Sequence, residues 1–215
     1  MYINIHTHYT LKSTNTLLVF NLNKRLDFVN ENFSAGIHPW YIKNENEKDF
    51  EVLKSLLKNK YCLALGECGL DKVIEIDFDL QKDIFLKQLE LNKEFQKPII
   101  LHCVKAYQET LEIIENYNYC FVFHGFNKGK ELAHQMQGKA HYLSFGKAIL
   151  KNEKNQEALR TCNLNQVFFE TDNDDINIET IYQKAAEILN LPLETLQTII
   201  LNNYKTVFDG NTKMA

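Results

Sequence analysis

The 215-residue chain contains few of the residues that mark specialised protein classes. It has three prolines and eight glycines, which argues against collagen-like or linker-rich organisation. Its five cysteines are odd in number and form no Cys-x-x-Cys pair, so a reduced compartment is favoured over a disulfide scaffold or a zinc knuckle. The net charge of -4 argues against a broad basic surface, so any contact with nucleic acid would be local.

The sequence also lacks membrane and secretion signals. No apolar run approaches the length of a membrane span, and the first residues enter a strand pattern rather than a signal peptide. We therefore expect a soluble, cytoplasmic protein with no membrane partner. The length fits one sizeable core, which predicts a single domain over residues 1–215. The sequence makes no prediction of the oligomeric state.

Short apolar runs alternate with amphipathic patterns along the chain. Strands are predicted at 2–7, 16–20, 33–37, 61–66, 98–103, 119–124, 140–145 and 166–171. Helices are predicted at 47–58, 79–96, 107–117, 129–136, 153–161, 178–190 and 193–208. Such alternation predicts an α/β fold, a TIM-type (β/α)₈ barrel of parallel strands. Too few residues separate His8 from Thr16 for a helical crossover, so we expect the first outer helix to be missing.

Five of the predicted strands end on side chains that bind metal ions. These side chains are His6 and His8, Glu67, His102, His124 and Asp172. The C-terminal ends of parallel strands meet at one face of a barrel, so the side chains are expected to converge. Alternate residues of a strand point to the same side, which lets the His-x-His pair serve one ion. The pattern is typical of a metallohydrolase.

In this order the motifs resemble the TatD family of metal-dependent hydrolases and DNases, from Tyr2 to Phe208. The resemblance is carried by Ile5-His6-Thr7-His8, Gly36-Ile37-His38-Pro39-Trp40, Gly66-Glu67-Cys68-Gly69-Leu70-Asp71, Leu101-His102-Cys103, Phe123-His124-Gly125-Phe126 and Phe169-Glu170-Thr171-Asp172. It implies a TIM-barrel hydrolase with two divalent metal ions at the C-terminal ends of its strands. Imidazole and carboxylate ligands suit Zn²⁺, Mn²⁺ or Mg²⁺ in differing degrees.

The resemblance also implies a role for each ligand. His6, His8 and Asp172 would bind the first ion, His102 and His124 the second, and Glu67 both. Two adjacent ions lower the pKa of a shared water and stabilise both oxygens of a phosphoryl displacement. We further predict that Asp172 accepts the proton of the attacking water, so Asp172 and Glu67 are the predicted catalytic residues.

The chain departs from the family pattern where DNA would be held. Asn4 replaces the usual Asp, so a group expected to orient the ligands would be neutral. Cys103-Val104 replaces the usual Ser-Arg, which leaves the point charge of Lys105 in place of a bidentate clamp. The long basic loop that usually follows the last ligand is replaced by Asn173-Asp174-Asp175, which should repel a polyanion.

The primary hypothesis is a phosphodiesterase, a DNase acting on single-stranded DNA ends or on a small phosphodiester substrate. His38, Trp40 and Lys105 are candidate substrate contacts, because a tryptophan ring stacks on a base, although Trp40 could instead pack in an apolar lid. A metal-activated water also attacks carbonyl carbon, so an amide, ester or lactone hydrolase is one alternative. A catalytically weakened metal-binding barrel that serves as an interaction protein is the other.

Overall fold

The structure is a computed structural model, and it describes residues 1–9, 15–22, 31–42 and 47–209. The strands are β1 (Tyr2–Thr7), β2 (Thr16–Asn21), β3 (Phe33–Ala35), β4 (Cys62–Asp71), β5 (Ile99–Val104), β6 (Phe121–Phe123), β7 (Tyr142–Phe145) and β8 (Val167–Phe169). The α-helices are α1 (Glu47–Leu57), α2 (Phe78–Leu91), α3 (Tyr107–Ile114), α4 (Lys130–Gln137), α5 (Glu153–Thr161), α6 (Ile178–Leu189) and α7 (Leu193–Phe208). A 3₁₀ turn, called here the 39–41 turn, spans Pro39–Tyr41.

The strand order is the chain order from β1 to β8. The pairings of β1 with β2, β3 with β4, β4 with β5, β6 with β7 and β7 with β8 are all parallel. This is the topology of a (β/α)₈ barrel, as the alternating sequence pattern predicts. The predicted loss of the first outer helix concerns the segment between β1 and β2, where residues 10–14 lie outside the described residues.

The chain divides into two compact units. Unit 1 comprises Met1–Phe20 and Val122–Ala215, and among its described residues it contains β1, β7, β8 and the helices α4 to α7. Unit 2 comprises Asn21–Phe121 and contains β3, β4, β5 and the helices α1 to α3. The expectation of a single domain over residues 1–215 stays a prediction.

In unit 1, α6 fixes the position of β1, which is buried along its whole length. The hydroxyl of Tyr182 accepts a hydrogen bond from Ile3 N at 3.1 Å and donates one to Ile3 O at 3.0 Å. The Tyr182 ring also packs edge-on against Tyr2 and Phe169. These contacts satisfy buried backbone groups of the strand that carries His6 and leads into His8.

In unit 2, β4 continues to Asp71, so the prediction that this strand ends at residue 66 is wrong. Gly66 and Gly69 have φ angles of +137° and +142°, and a Cβ at either position would collide with the backbone of β5. The register between β4 and β5 shifts between Leu65 and Cys68. Glycine lets the strand bulge and then resume pairing, so Glu67 lies within β4 rather than at its end.

Replacing Tyr182 with Phe should destabilise the protein because Ile3 N and Ile3 O lose their partner in a dry interior. Each buried group left unbonded costs about 1–3 kcal/mol. The free energy of unfolding, measured by urea denaturation, should therefore fall by at least that amount. The control is Tyr117→Phe, whose hydroxyl bonds Glu90 at the surface, with an expected change within about 0.5 kcal/mol. Equal losses in the two variants would contradict the role assigned to Tyr182.

Candidate metal centre

Histidine and carboxylate side chains form a cluster in each unit. The first, called the β1 cluster, consists of His6, His8, His124 and Asp172, all in unit 1. The second, called the β4 cluster, consists of His38, Glu67 and His102, all in unit 2. Together they contain every metal ligand that the sequence predicts.

In the β1 cluster, ligand atoms converge on one carboxylate oxygen. The Nε2 atoms of His6 and His8 lie 3.6 Å and 3.3 Å from Asp172 Oδ1. The His124 ring lies 4.3 Å from the His6 ring, and one ligand atom each of His6, His124 and Asp172 lie within 4.8 Å of one another. Ligand atoms bound at 2.0–2.2 Å to one ion lie roughly 3–4 Å apart, so these residues fit a divalent cation.

The backbone of Asp172 adopts a left-handed conformation with a φ angle of +49°. This conformation costs a non-glycine residue roughly 1–2 kcal/mol. Two hydrogen bonds to the end of β1 hold it there: Asp172 N donates to His6 O at 3.0 Å, and His8 N donates to Asp172 O at 3.1 Å. The same bonds that constrain the backbone therefore place the carboxylate beside both imidazoles.

The electrostatics of the β1 cluster keep Asp172 ionised. Burial raises the pKa of this carboxyl, but hydrogen bonds from His6 and His8 and the electrostatic attraction of His6 and His124 outweigh burial. The pKa of Asp172 therefore lies well below its usual range. A carboxylate must be deprotonated to bind a metal ion, and Asp172 meets this condition at neutral pH.

Asn4 acts on the segment between β8 and Asp172 rather than on a ligand. Its Nδ2 donates to Thr171 Oγ1 at 2.9 Å, and Thr171 N donates to Asn4 Oδ1 at 3.2 Å. Both residues are buried. The side-chain amide offers a donor and an acceptor at once, which pins the backbone immediately before Asp172.

Glu170 is the hydrogen-bond partner of His124. Its Oε1 accepts a hydrogen bond from Gly125 N at 2.7 Å and lies 3.3 Å from His124 Nδ1. A carboxylate at Nδ1 holds the imidazole proton there, which leaves Nε2 as the ligand atom. Glu170 therefore orients the His124 ring.

In the β4 cluster, the converging atoms meet at Glu67 Oε1. His102 Nδ1 lies 2.6 Å from this oxygen and His38 Nε2 lies 3.0 Å from it. The second carboxylate oxygen accepts a hydrogen bond from Asn21 Nδ2 at 2.9 Å. All three cluster residues are buried.

The hydrogen-bond partners assign different chemistry to the two imidazoles of the β4 cluster. Trp40 N donates to His38 Nδ1 at 3.1 Å, so the proton of neutral His38 is on Nε2 and is donated to Glu67. His102 Nε2 lies 3.1 Å from Asp71 Oδ2, so its proton faces Asp71 and its Nδ1 lone pair faces Glu67. Two bare acceptor atoms do not rest 2.6 Å apart, which is the distance of a hydrogen bond. A metal ion bound to both would replace the shared proton and move the two atoms to the separation of metal ligands, roughly 3–4 Å. His102 and Glu67 thus have the chemistry of metal ligands, and His38 that of a donor.

Asp71 is a site residue for which the sequence gives no role. Its Oδ2 accepts a hydrogen bond from Trp40 Nε1 at 2.8 Å and its Oδ1 accepts one from Val73 N at 2.8 Å. Burial raises the pKa of Asp71, but the hydrogen bonds from Trp40, Val73 N and His102 hold it below the usual value. Asp71 is therefore an ionised partner for His102.

The predicted substrate contacts differ in their exposure. His38 is buried, whereas the Trp40 side chain is 54% exposed beside it. Lys105 is exposed directly after β5, with a φ angle of +53°. In the acidic segment after Asp172, Asp174 forms an ion pair with Lys147 at 2.7 Å, which offsets part of the negative charge.

Comparison with known proteins identifies the family. The family model for TatD related DNase matches residues 7–209. The chain belongs to this family. Two relatives named as uncharacterized metal-dependent hydrolases are YcfH of Escherichia coli K12 and YabD of Bacillus subtilis. YcfH is 28% identical over 82% of this chain and 73% of its own length. YabD is 27% identical over 83% of this chain and 77% of its own length.

The solved structures show the fold of this TatD family member. The crystal structure of YJJV, a TatD homolog from Escherichia coli K12, has a TM-score of 0.83 at 19% identity and covers 97% of this chain and 98% of its own. The predicted family, the parallel barrel fold and the class of metal-dependent hydrolase are therefore confirmed. Among the described residues no helix has the length and apolar character to span a membrane. The cytoplasmic location stays a prediction.

Acidification should reveal the low pKa of Asp172. An unfolded Asp titrates at about pH 3.9, and the folded carboxyl titrates lower, so its contribution to stability is complete above that pH. This contribution is lost as the pH falls through the folded pKa. In chelator-treated protein, the free energy of unfolding of the native sequence should therefore drop more between about pH 5 and pH 2 than that of Asp172→Asn. Asp175→Asn is the control and should follow the native profile. Parallel profiles for the native protein and Asp172→Asn would show that Asp172 is not linked to stability.

Proposed function

We propose that the protein binds two divalent metal ions, one in each cluster, and hydrolyses phosphodiester bonds at DNA ends. The observation that carries the proposal is that, in each cluster, imidazole nitrogens approach a single carboxylate oxygen. In the β1 cluster that oxygen is Asp172 Oδ1, and in the β4 cluster it is Glu67 Oε1. Imidazoles with their second nitrogen hydrogen-bonded, together with ionised carboxylates, are the donors that divalent ions take in hydrolases.

The ions would lower the pKa of a water and stabilise the charge that develops on the phosphate oxygens. Imidazole-rich donor sets favour Zn²⁺ or Mn²⁺ over Mg²⁺. The proposal keeps the sequence-based assignment of Glu67 to both ions. His124, which the sequence assigns to the second ion, is assigned here to the ion of the β1 cluster, because its ring lies beside that of His6. The proximity of His124 to His6 makes His124→Ala the variant that tests it.

Asp172 would act as a ligand and as the acceptor of the water proton. Its carboxylate is ionised and partly exposed, and its backbone is fixed to β1. A carboxylate with a low pKa is a modest base, so its value lies in its position next to the water rather than in its proton affinity.

The proposed substrate is a single-stranded DNA end or a short phosphodiester. The exposed Trp40 ring offers a face on which a base can stack, and Lys105 offers one exposed cation. Asp175 and the few basic groups near Asp172 do not favour a long duplex. His38 is buried and donates to Glu67, so it would orient this carboxylate. It would contact a substrate oxygen only if that oxygen entered the β4 cluster.

Elemental analysis of purified protein soaked in Zn²⁺ or Mn²⁺ and then desalted should give about two ions per chain, because the two clusters offer more ligands than one tetrahedral ion takes. His102→Ala should reduce the content to about one, because it removes a ligand from the β4 cluster only. The matched control is His134→Ala, an exposed histidine bonded to Thr161 O, which should retain both ions. A native content of one ion or fewer would overturn the two-ion proposal.

The function itself is tested with end-labelled single- and double-stranded oligonucleotides, a p-nitrophenyl phosphodiester and a p-nitrophenyl ester. We expect cleavage of the single strand and the phosphodiester, and a loss of at least about 10²-fold in Asp172→Asn at saturating metal, as for a missing general base. Asp175→Asn should retain the native rate. Turnover of the ester alone would assign the protein to carbonyl chemistry instead.

The salt dependence of binding tests how many phosphates the protein contacts. For Asp172→Asn and the single strand, the logarithm of the affinity should fall against the logarithm of the salt concentration with a slope on the order of two to three, as expected for few phosphate contacts.

A further inference from the structure

Trp40 is linked to both histidines of the β4 cluster, to His38 directly and to His102 through Asp71. Its backbone N–H donates to His38 Nδ1 at 3.1 Å. Its indole Nε1–H donates to Asp71 Oδ2 at 2.8 Å, and the same oxygen lies 3.1 Å from His102 Nε2. Trp40 therefore acts directly on one imidazole that faces Glu67 and, through Asp71, on the other.

Hydrogen bonds hold both the backbone and the side chain of Asp71 in place beside His102. Gln81 clamps its backbone, because Asp71 N donates to Gln81 Oε1 at 2.9 Å and Gln81 Nε2 donates to Asp71 O at 3.0 Å. Val73 N occupies Oδ1, and Trp40 and His102 occupy Oδ2. Both carboxylate oxygens thus already accept hydrogen bonds, and the residue is only 2% exposed, which favours Asp71 as a partner of His102 over a role as a metal ligand.

We propose that Trp40 and Asp71 are positioning residues that set the proton on His102 Nε2 and so present Nδ1 to a metal ion. This inference rests on the proposed function, in which His102 and Glu67 bind that ion. Glu67 Oε1, 2.6 Å from Nδ1, competes with Asp71 Oδ2, 3.1 Å from Nε2, for the single imidazole proton, and without Asp71 we expect Glu67 to take it. The proton would then occupy the ligand atom, and a metal ion would have to displace it.

The hydrogen-bonded series Trp40, Asp71 and His102, called here the relay, also connects the β4 cluster to the outside of the protein. The Trp40 ring stands edge-on to His38 and His102, with centroids 5.2 Å and 6.2 Å away, while 54% of the residue is exposed. A base stacked on the ring would hold the indole in the orientation that bonds Asp71, and an ion bound at His102 would favour the same orientation because it keeps the His102 proton on Nε2, facing Asp71. By linkage, each should then strengthen the binding of the other by the same factor.

Two variants separate the parts of the relay. Asp71→Asn removes the charge and can offer an acceptor oxygen to only one side, so we expect the metal affinity of the β4 cluster to fall by about 10- to 100-fold. Trp40→Phe keeps an aromatic ring and the backbone N–H but loses the indole donor, so we expect a smaller, several-fold loss. Asp83→Asn on the exposed side of α2 is the matched control, with native affinity.

The experiment titrates the metal-free protein with Zn²⁺ by calorimetry and, in variants that retain it, by the emission of Trp40, the only tryptophan in the sequence. One binding phase should change the emission, and Asp71→Asn should shift that phase alone. Native affinity of both phases in Asp71→Asn would overturn the proposal.

A readout without metal keeps this inference separate from the proposed function. Nitrogen-15 NMR of the metal-free protein at pH 8, with His102 assigned from the signals lost in His102→Gln, should show a proton on Nε2. In Asp71→Asn the population with the proton on Nδ1 alone should rise. An unchanged proton position would overturn the relay. If the native protein had this proton position but bound no Zn²⁺, the proposed function would be contradicted, whereas the role of the relay in setting the proton would be supported.

Discussion

A neutral imidazole carries one proton, and both clusters depend on where that proton is held. A neutral histidine presents a lone pair to an ion from the nitrogen that carries no proton, and an acceptor bonded to the other nitrogen fixes which one that is. Asp71 supplies this acceptor to His102, and Glu170 supplies it to His124. For His38 the opposite holds, because the donor Trp40 N occupies Nδ1 and turns the proton of the ring towards Glu67. The hydrogen-bond partners Asp71, Glu170 and Trp40 thus decide which nitrogen of each histidine holds the proton. These partners do this without binding a metal ion themselves.

The sequence alone could predict which histidines and carboxylates come together, because most of them lie at or near the C-terminal end of a strand. It could not predict their partners. Asn21 contacts Glu67 from 46 residues away, and Asn4 contacts Thr171 from 167 residues away, so neither pair leaves a local pattern. Asp71 stands in a motif that draws attention to Glu67, yet its function follows only from contact with Trp40 and His102. Hydrogen bonds between distant segments are set by the tertiary fold, which periodicity does not encode.

The helices and most strands were predictable because amphipathic periodicity is a local property. The predicted ranges 153–161 and 193–208 coincide with α5 and α7. The strand β4 was predicted too short because Gly66 and Gly69 look like a strand end in sequence. Glycine is needed at these two positions because the β5 backbone approaches so closely that a side chain has no room.

Two backbone hydrogen bonds hold Asp172, one to His6 and one to His8. Neither bond involves the segment that begins at residue 173. That segment adds one bond close to Asp172, from Asp174 N to Thr171 O at 2.9 Å. Beyond Asp174, we expect changes of length or charge to affect which molecules reach the carboxylate more than they affect its position. A loop taken from a relative could therefore be grafted after Asp174 to change the substrate.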